Sequence, residues 1–223
     1  MADLKLLYVY DALCGWCYGF NPTLRAFAKT HGLGSQASTP HALTVDVLSG
    51  GMIRGEREGP LSEVAPYIRT AYKDVERRTG VEFGGGFLDV LTNGDIYMTS
   101  EPAAALLAWA RERAPARQLD AAHELQRGIY HHGYGPRSEA LARHLARALG
   151  LDEAAAVAAL TDEAYRTLAE RDFATTQRLG VRGFPALFVA RAEGLVPIAN
   201  GYTDAEVLDA RLAQALRLPA PAA

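Results

Sequence analysis

Only two cysteines occur in the 223 residues, and they stand three positions apart in Cys14-Gly15-Trp16-Cys17. Thiols at that spacing can supply half of a metal site, sit inert in a core, or exchange disulfides. A structural zinc needs four ligands, and the sequence holds neither a second C-x-x-C nor an H-x₃-H partner. Of the six histidines only His131 and His132 lie close together, so no metal ligands are assigned. As a staple the pair would close too small a ring to constrain the unfolded chain much, and a disulfide-built scaffold would spread more cysteines along the chain. Exchange is the chemistry that remains. A Cys14 thiolate would attack a disulfide, a mixed disulfide would form, and Cys17 would displace it, leaving Cys14–Cys17 oxidised.

That chemistry needs elements to hold it. Lys5 to Tyr10 (KLLYVY) is dense in apolar, β-branched and aromatic residues and reads as a buried strand. Behind the cysteines, Leu24, Phe27 and Ala28 recur at helical spacing and Gly32 marks a stop. The dithiol therefore falls at a helix N-terminus, where unpaired N–H groups and the positive end of the dipole favour a thiolate. At such a start the first sulfur lies nearer the surface and the second one turn inward, which makes Cys14 the nucleophile and Cys17 the resolving thiol. Asp11, three residues upstream, is a candidate proton acceptor for Cys17 or a turn-shaping residue. Trp16 is expected at the surface, where it could meet substrate; Tyr18 and Phe20 read as helix packing.

Ala42 to Leu48 reads as a second strand, and strand–helix–strand in that order suggests a parallel unit. From about Glu63 to Arg171 the composition turns to Ala, Leu, Arg and Glu, which favours helices. Ser100-Glu101-Pro102 opens one through Ala114; Leu119–Tyr130, Ser138–Leu149 and Asp152–Leu160 read as three more. Gly50-Gly51-Met52 lacks the Gly-Lys-Ser/Thr ending of a phosphate loop and reads as a flexible connector into this block, passing near the thiols. Gly80, Gly84-Gly85-Gly86 and Gly133-Tyr134-Gly135-Pro136 mark breaks. Strand character returns at Ala186–Ala190 and Val196–Ala199, spaced as a hairpin, and Asp204–Leu218 is a final helix with Thr203 as its cap and a loose tail from Pro219. Gly183-Phe184-Pro185 heads the late strand; it could face the thiols and offer its backbone to an extended substrate, although a plain trans proline would also suit a strand start.

The charge balance, 23 basic against 26 acidic side chains, gives no footprint for nucleic acid. No apolar run approaches the ~20 residues of a membrane span, and the N-terminus lacks the pattern of an export signal, so a cytoplasmic location is expected.

With both motifs quoted, Asp11–Phe20 around the cysteines and Gly180–Val189 around Phe184-Pro185, the chain resembles the DsbA-like branch of the thioredoxin superfamily, near its cytoplasmic group of protein disulfide isomerases of the FrnE type. The resemblance extends over nearly the whole chain, including Gly50-Gly51-Met52 and Phe83–Phe87. It implies an α/β thioredoxin-like fold with an inserted all-helical domain: residues 1–60 and 172–223 for the discontinuous thioredoxin-like part, 61–171 for the insertion. It also implies a cis Phe184–Pro185 bond, and assigns Cys14 as attacking thiol, Cys17 as resolving thiol, and Phe184 and Pro185 with Trp16 as substrate-facing residues. Periplasmic oxidants of this branch commonly place Pro-His between the cysteines; Gly15-Trp16 stand here, and a tryptophan cannot hold a thiolate by charge. The reductase or isomerase direction follows, with no tightly bound cofactor, glutathione or another thiol as redox partner, and a disulfide-bearing protein or small thiol as substrate. The alternatives are a glutathione-dependent transferase or isomerase of the kappa and hydroxychromene-carboxylate type, and a non-enzymatic redox or metal-binding protein. The sequence leaves the oligomeric state open, a homodimer among the options.

Overall fold

A computed structural model describes residues 4–32, 43–94 and 96–217. Its main sheet has four strands in the order β2-β1-β5-β6, formed by β1 (Leu4–Tyr10), β2 (Leu43–Ser49), β5 (Ala186–Arg191) and β6 (Gly194–Asn200). β1 runs parallel to β2 from Leu4 opposite Leu43 to Tyr10 opposite Ser49. It runs antiparallel to β5, which turns back into β6. Helix α1 (Gly15–Thr30) makes the crossover between the parallel strands and α9 (Ala205–Arg217) closes the chain. β1 is the inner strand, and Tyr8, Val9 and Tyr10 are all fully buried. Three successive buried residues are what a strand covered on both faces requires, and they explain the unbroken apolar run.

Between β2 and β5 lie the helices α2 (Leu61–Thr79), α3 (Gly85–Asn93), α4 (Glu101–Arg113), α5 (Gln118–Tyr130), α6 (Glu139–Leu149), α7 (Glu153–Ala159) and α8 (Glu163–Arg178). A two-residue ladder, β3 (Gly59–Pro60) with β4 (Tyr97–Met98), ties the start of α2 to the start of α4. Side-chain caps set several starts: Ser138 accepts from Leu141 N–H, Asp152 from Ala155 N–H and Asp162 from Ala164 N–H. Glycines in the left-handed conformation end α2 at Gly80 and α6 at Gly150. α4 is buried along its whole middle, from Pro102 to Ala110. Its alanines let α5, α7 and α8 approach it on several sides, and a helix apolar all round belongs inside.

β2 is an edge strand, whose outward backbone groups would otherwise be left unpaired. The insertion covers them. Arg111 of α4 donates to Val47 C=O at 2.6 Å and pairs with the buried Asp172 of α8. Asp172 accepts from Ser49 N–H, Thr176 donates to Ser49 C=O, and Gln118 of α5 accepts from Val47 N–H. Burial pushes the Asp172 carboxyl up, against the pull of the Arg111 guanidinium. α8 runs unbroken through residues 171 and 172, with Ala169 and Phe173 packed on Ala104 of α4.

The strands and helices read from the sequence stand within a few residues of these bounds. Gly84-Gly85-Gly86 does more than break the chain: Gly84 is the residue before α3, and both Gly84 and Gly86 lie so close to the backbone of His131 and His132 that a side chain would collide. Thr203 donates its hydroxyl to Gly201 C=O. Ala42, Leu218 and the tail from Pro219 lie outside the described residues.

Candidate active site

Beyond Tyr10 the chain makes one tight turn, Cys14 N–H to Asp11 C=O at 3.1 Å, and enters α1. Cys14 is the N-cap, with extended backbone (φ −94°, ψ 108°), and its Sγ accepts from Cys17 N–H at 3.3 Å. The sulfur thus takes the place a serine or aspartate oxygen holds in an ordinary cap, and feels the same oriented amides. Both thiols are free. Relative exposure is 5% for Cys14 and 0% for Cys17, so the order expected from the helix start holds, although neither sulfur lies open on the surface. Burial pushes the Cys17 thiol well above its usual range, and the hydrogen bond and charge of Cys14 add to this. Beneath it, the phenols of Tyr8 and Tyr10 are fully buried and pushed up chiefly by that burial, which keeps them neutral.

Two loops from far along the chain complete the surroundings. Phe184 C=O lies 3.7 Å from Cys14 Sγ, close enough to accept from the thiol, and the Phe184–Pro185 peptide is cis. Gly201 N–H bonds Pro185 C=O at 2.7 Å and anchors this loop. The Phe184 ring lies against Gly50 so closely that a Cβ there would overlap it. Gly50 in turn donates to Tyr10 C=O.

Asp11 is 1% exposed and bound on every side. Oδ1 accepts from Leu13 N–H at 2.9 Å and from the Ser100 hydroxyl at 3.0 Å; Oδ2 accepts from Met52 N–H at 2.8 Å. One carboxylate therefore ties the dithiol turn, the Gly50–Ile53 connector and the start of α4 together. Burial raises its pKa, and the hydrogen bonds only partly oppose that. Gln126 of α5, fully buried, donates to both Asp11 C=O and Cys14 C=O and accepts from Asn21 of α1 at 2.6 Å. Gln126 and Asn21 escaped the sequence reading, and Ser100 reads there only as a helix start, not as a partner of Asp11. Their partners are 112, 105 and 89 residues away, and no local pattern marks these pairings.

The opposite side of Cys14 is apolar. Trp16 is 38% exposed and its ring lies 6.4 Å from that of Tyr202. Between Trp16 and helices α2 and α3 opens a cavity of about 290 Å³, bordered by Cys14, Tyr67, Tyr72, Phe83, Phe87 and Tyr130, with no charged residue in its lining. Phe83 meets Tyr130 edge-on at 5.2 Å, and Tyr18 meets Phe83 edge-on at the same distance. Gly19 lets α1 and α2 approach, since a Cβ there would crowd Val75 and Thr79. Among the described residues no three His, Cys, Asp or Glu side chains gather as a metal site would require, and no helix is long and apolar enough to cross a membrane. The arrangement can hold one capped nucleophilic sulfur between a backbone edge and an apolar chamber, with a second thiol behind it.

The family model of the DSBA-like thioredoxin domain matches residues 5–213. A protein from Nitrosomonas europaea provisionally described as a protein disulfide isomerase superposes with a TM-score of 0.80 at 25% identity, over 96% of this chain and 98% of its own. The cytosolic disulfide reductase DsbM from Pseudomonas aeruginosa gives 0.76 at 28% identity, over 97% of this chain and all of its own, and that reductase is also known with GSH. A 2-hydroxychromene-2-carboxylate isomerase gives 0.66 at 16% identity over 96% of each chain, which shows a shared fold alone. Comparison with curated proteins gives no match.

Proposed function

We propose, from the premise that this chain belongs to the DSBA-like thioredoxin-domain family, that it is a disulfide reductase or isomerase working through Cys14 and Cys17. The observation that carries this reading is the placement of Cys14 Sγ: capping α1, beside Phe184 C=O, and bordering a cavity, with Cys17 buried one turn behind. The Cys14 thiolate attacks one sulfur of a disulfide R–S–S–R′, forming Cys14–S–S–R and releasing R′S⁻. Cys17 gives up its proton, attacks Cys14 Sγ and releases RS⁻, leaving the Cys14–Cys17 disulfide. The substrate is thereby reduced by two electrons and the enzyme oxidised by two. An external thiol, with glutathione as the candidate, restores the dithiol.

Each surrounding residue has a part in this reading. Cys17 needs a proton acceptor because burial holds it as a thiol. Asp11 is the candidate: its own raised pKa brings it closer to that of a thiol than an exposed carboxylate would be. Phe184 and Pro185 present a backbone edge to an extended substrate, and Trp16 forms the exposed rim. The reducing direction is supported by the uncharged Gly15-Trp16 between the cysteines and by the similarity to a cytosolic disulfide reductase. The same similarity supports a cytoplasmic setting. Retention of a second thiol beside the first favours exchange over a glutathione-dependent isomerase, which needs only one nucleophilic position.

The test is insulin reduction with dithiothreitol or glutathione as electron source. Wild type accelerates precipitation of the B chain, Cys14→Ser does not, and Cys17→Ser accumulates the mixed disulfide seen by intact mass. Equal rates for wild type and Cys14→Ser would overturn the assignment.

A further inference from the structure

β1 is largely buried, yet it carries two hydroxyls. Tyr8 and Tyr10 stand two residues apart and so share one face of the strand, with ring centroids 5.6 Å apart. That face is the one α1 covers, since the Tyr8 ring lies 6.1 Å from that of Phe20. Cys17 precedes Phe20 by about one helical turn on the same side of α1, and it is likewise fully buried. Neither phenol hydroxyl finds a hydrogen-bond partner among the described residues. Buried hydroxyls in folded chains are nearly always paired, so two orphans side by side require an explanation.

The Cys17 thiol supplies one. As a thiol it needs no donor, but resolution requires it to become a buried anion. Burial holds its proton on, and a backbone hydrogen bond from Asp11 opposes that only in part. A buried anion needs donors, and here two buried donors need an acceptor.

We propose that the Tyr8 hydroxyl donates a hydrogen bond to the Cys17 thiolate while it attacks, which makes Tyr8 a catalytic residue of the second exchange step. This role rests on the reading of Cys14 and Cys17 as the exchanging pair. What each phenol faces separates Tyr8 from Tyr10. After burial, the charges of Cys17 and then Cys14 hold the Tyr8 proton on, and a hydrogen bond to a charged Cys17 adds to this. On Tyr10 the first charge to act is that of Asp11, and the Arg111 and Asp172 charges act as well. Tyr8 thus keeps its proton and shares it, while the proton of Cys17 goes to Asp11, its candidate acceptor. The step is Cys17–S⁻ + Cys14–S–S–R → Cys14–S–S–Cys17 + RS⁻, and the new S–S bond removes the charge that Tyr8 served.

Single-turnover oxidation of the reduced protein by one equivalent of dithiobis(nitrobenzoate) separates the two steps, because each releases one coloured thionitrobenzoate. The first release reports attack by Cys14. The second reports attack by Cys17 on the mixed disulfide, and Cys17→Ser identifies it by abolishing it. Tyr8→Phe keeps the ring and deletes the hydroxyl. A hydrogen bond to a charged group moves an ionisation by about ten- to a hundredfold. A stabilised thiolate gives back about half of that, on a logarithmic scale, as lost nucleophilicity. Tyr8→Phe should therefore slow the second release by about three- to tenfold and leave the first unchanged. Its thermal midpoint should stay or rise, since the core loses an unpaired polar group. Tyr10→Phe deletes the neighbouring orphan and should leave both releases unchanged. A second release at the wild-type rate in Tyr8→Phe overturns the role, as does a slowing shared by both releases or matched by Tyr10→Phe. A wild type that gives no release, or only the first, overturns the underlying reading as well.

Discussion

On the strand side of Cys14 nearly every contact is a directed bond: Cys17 N–H to its sulfur, Phe184 C=O beside it, and Asp11 and Gln126 fastening the turn below. On the helical side the wall is aromatic and aliphatic, and no charged residue lines the cavity. The first region fixes a geometry, because hydrogen bonds specify distance and direction and a buried partner is costly to lose. The second offers apolar surface, whose burial is non-directional and scales with area. The two sides of the sulfur thus differ in kind, directed bonds on one and apolar surface on the other.

Changes to the sulfur itself should have the largest effect, since both regions converge on it. Cys14→Ser is expected to lower insulin reduction to the uncatalysed background while leaving the thermal midpoint nearly unchanged. A folded but active variant would break the assignment of both regions to one centre.

Next comes the seam between the Gly50 connector and the Phe184 loop. A Cβ at Gly50 would overlap the Phe184 ring, and overpacking of this kind costs ~1–3 kcal/mol. Gly50→Ala should lower the thermal midpoint and slow mixed-disulfide formation with every substrate alike. A selective loss of one substrate would give the strand side a part in specificity.

A smaller, pH-dependent effect is expected from Asp11. Its carboxyl holds its proton more tightly in the folded chain than in the unfolded one. Between the ordinary carboxylate range and its raised value, the folded state therefore binds more protons, and stability is lost as pH rises through that interval. Asp11→Asn removes this term. Urea unfolding at about pH 4 and about pH 7 should show wild type losing stability relative to the variant at the higher pH. Asp172, raised in the same direction, is present in both proteins and cancels.

The smallest effect belongs to the rim. Trp16→Ala should alter stability by no more than ~0.5 kcal/mol, as for surface positions in general. Its rate loss should be larger for an aromatic disulfide than for bis(2-hydroxyethyl) disulfide, measured side by side. An equal loss for both would place Trp16 with the strand side.

How much of this was legible beforehand differs between the same two regions. Lys5 to Tyr10 followed by Cys14 and Cys17 gave the strand, the turn and the helix start, because those signals are local and the chain obeys them within a few residues. The Phe184-Pro185 loop was legible as a feature, and its cis isomer only through the family resemblance. Asp11 was legible as a residue worth testing but not as the tie among three segments, since Met52 and Ser100 lie 41 and 89 positions away. Gln126 reads as any polar residue on a helix until α5 is packed against the dithiol turn. The aromatic stretch Phe83–Phe87 was noticed without a purpose; α3 acquires one only when Gly84 and Gly86 let it settle on the His131–His132 turn.

The amino-acid order by itself determined the candidate reacting atoms: two sulfurs one helical turn apart behind a buried strand, with an acid three residues upstream. Local backbone preferences suffice for that, because every interaction involved spans a few residues. Tertiary structure decided what surrounds those sulfurs. The carbonyl beside Cys14 comes from 170 positions downstream, and the uncharged chamber is assembled from the dithiol turn, α1, α2, α3, α5, β4 and the connectors at Met52–Ile53 and Phe83. Pairings over such distances depend on how whole elements pack, and no short pattern in the chain encodes them.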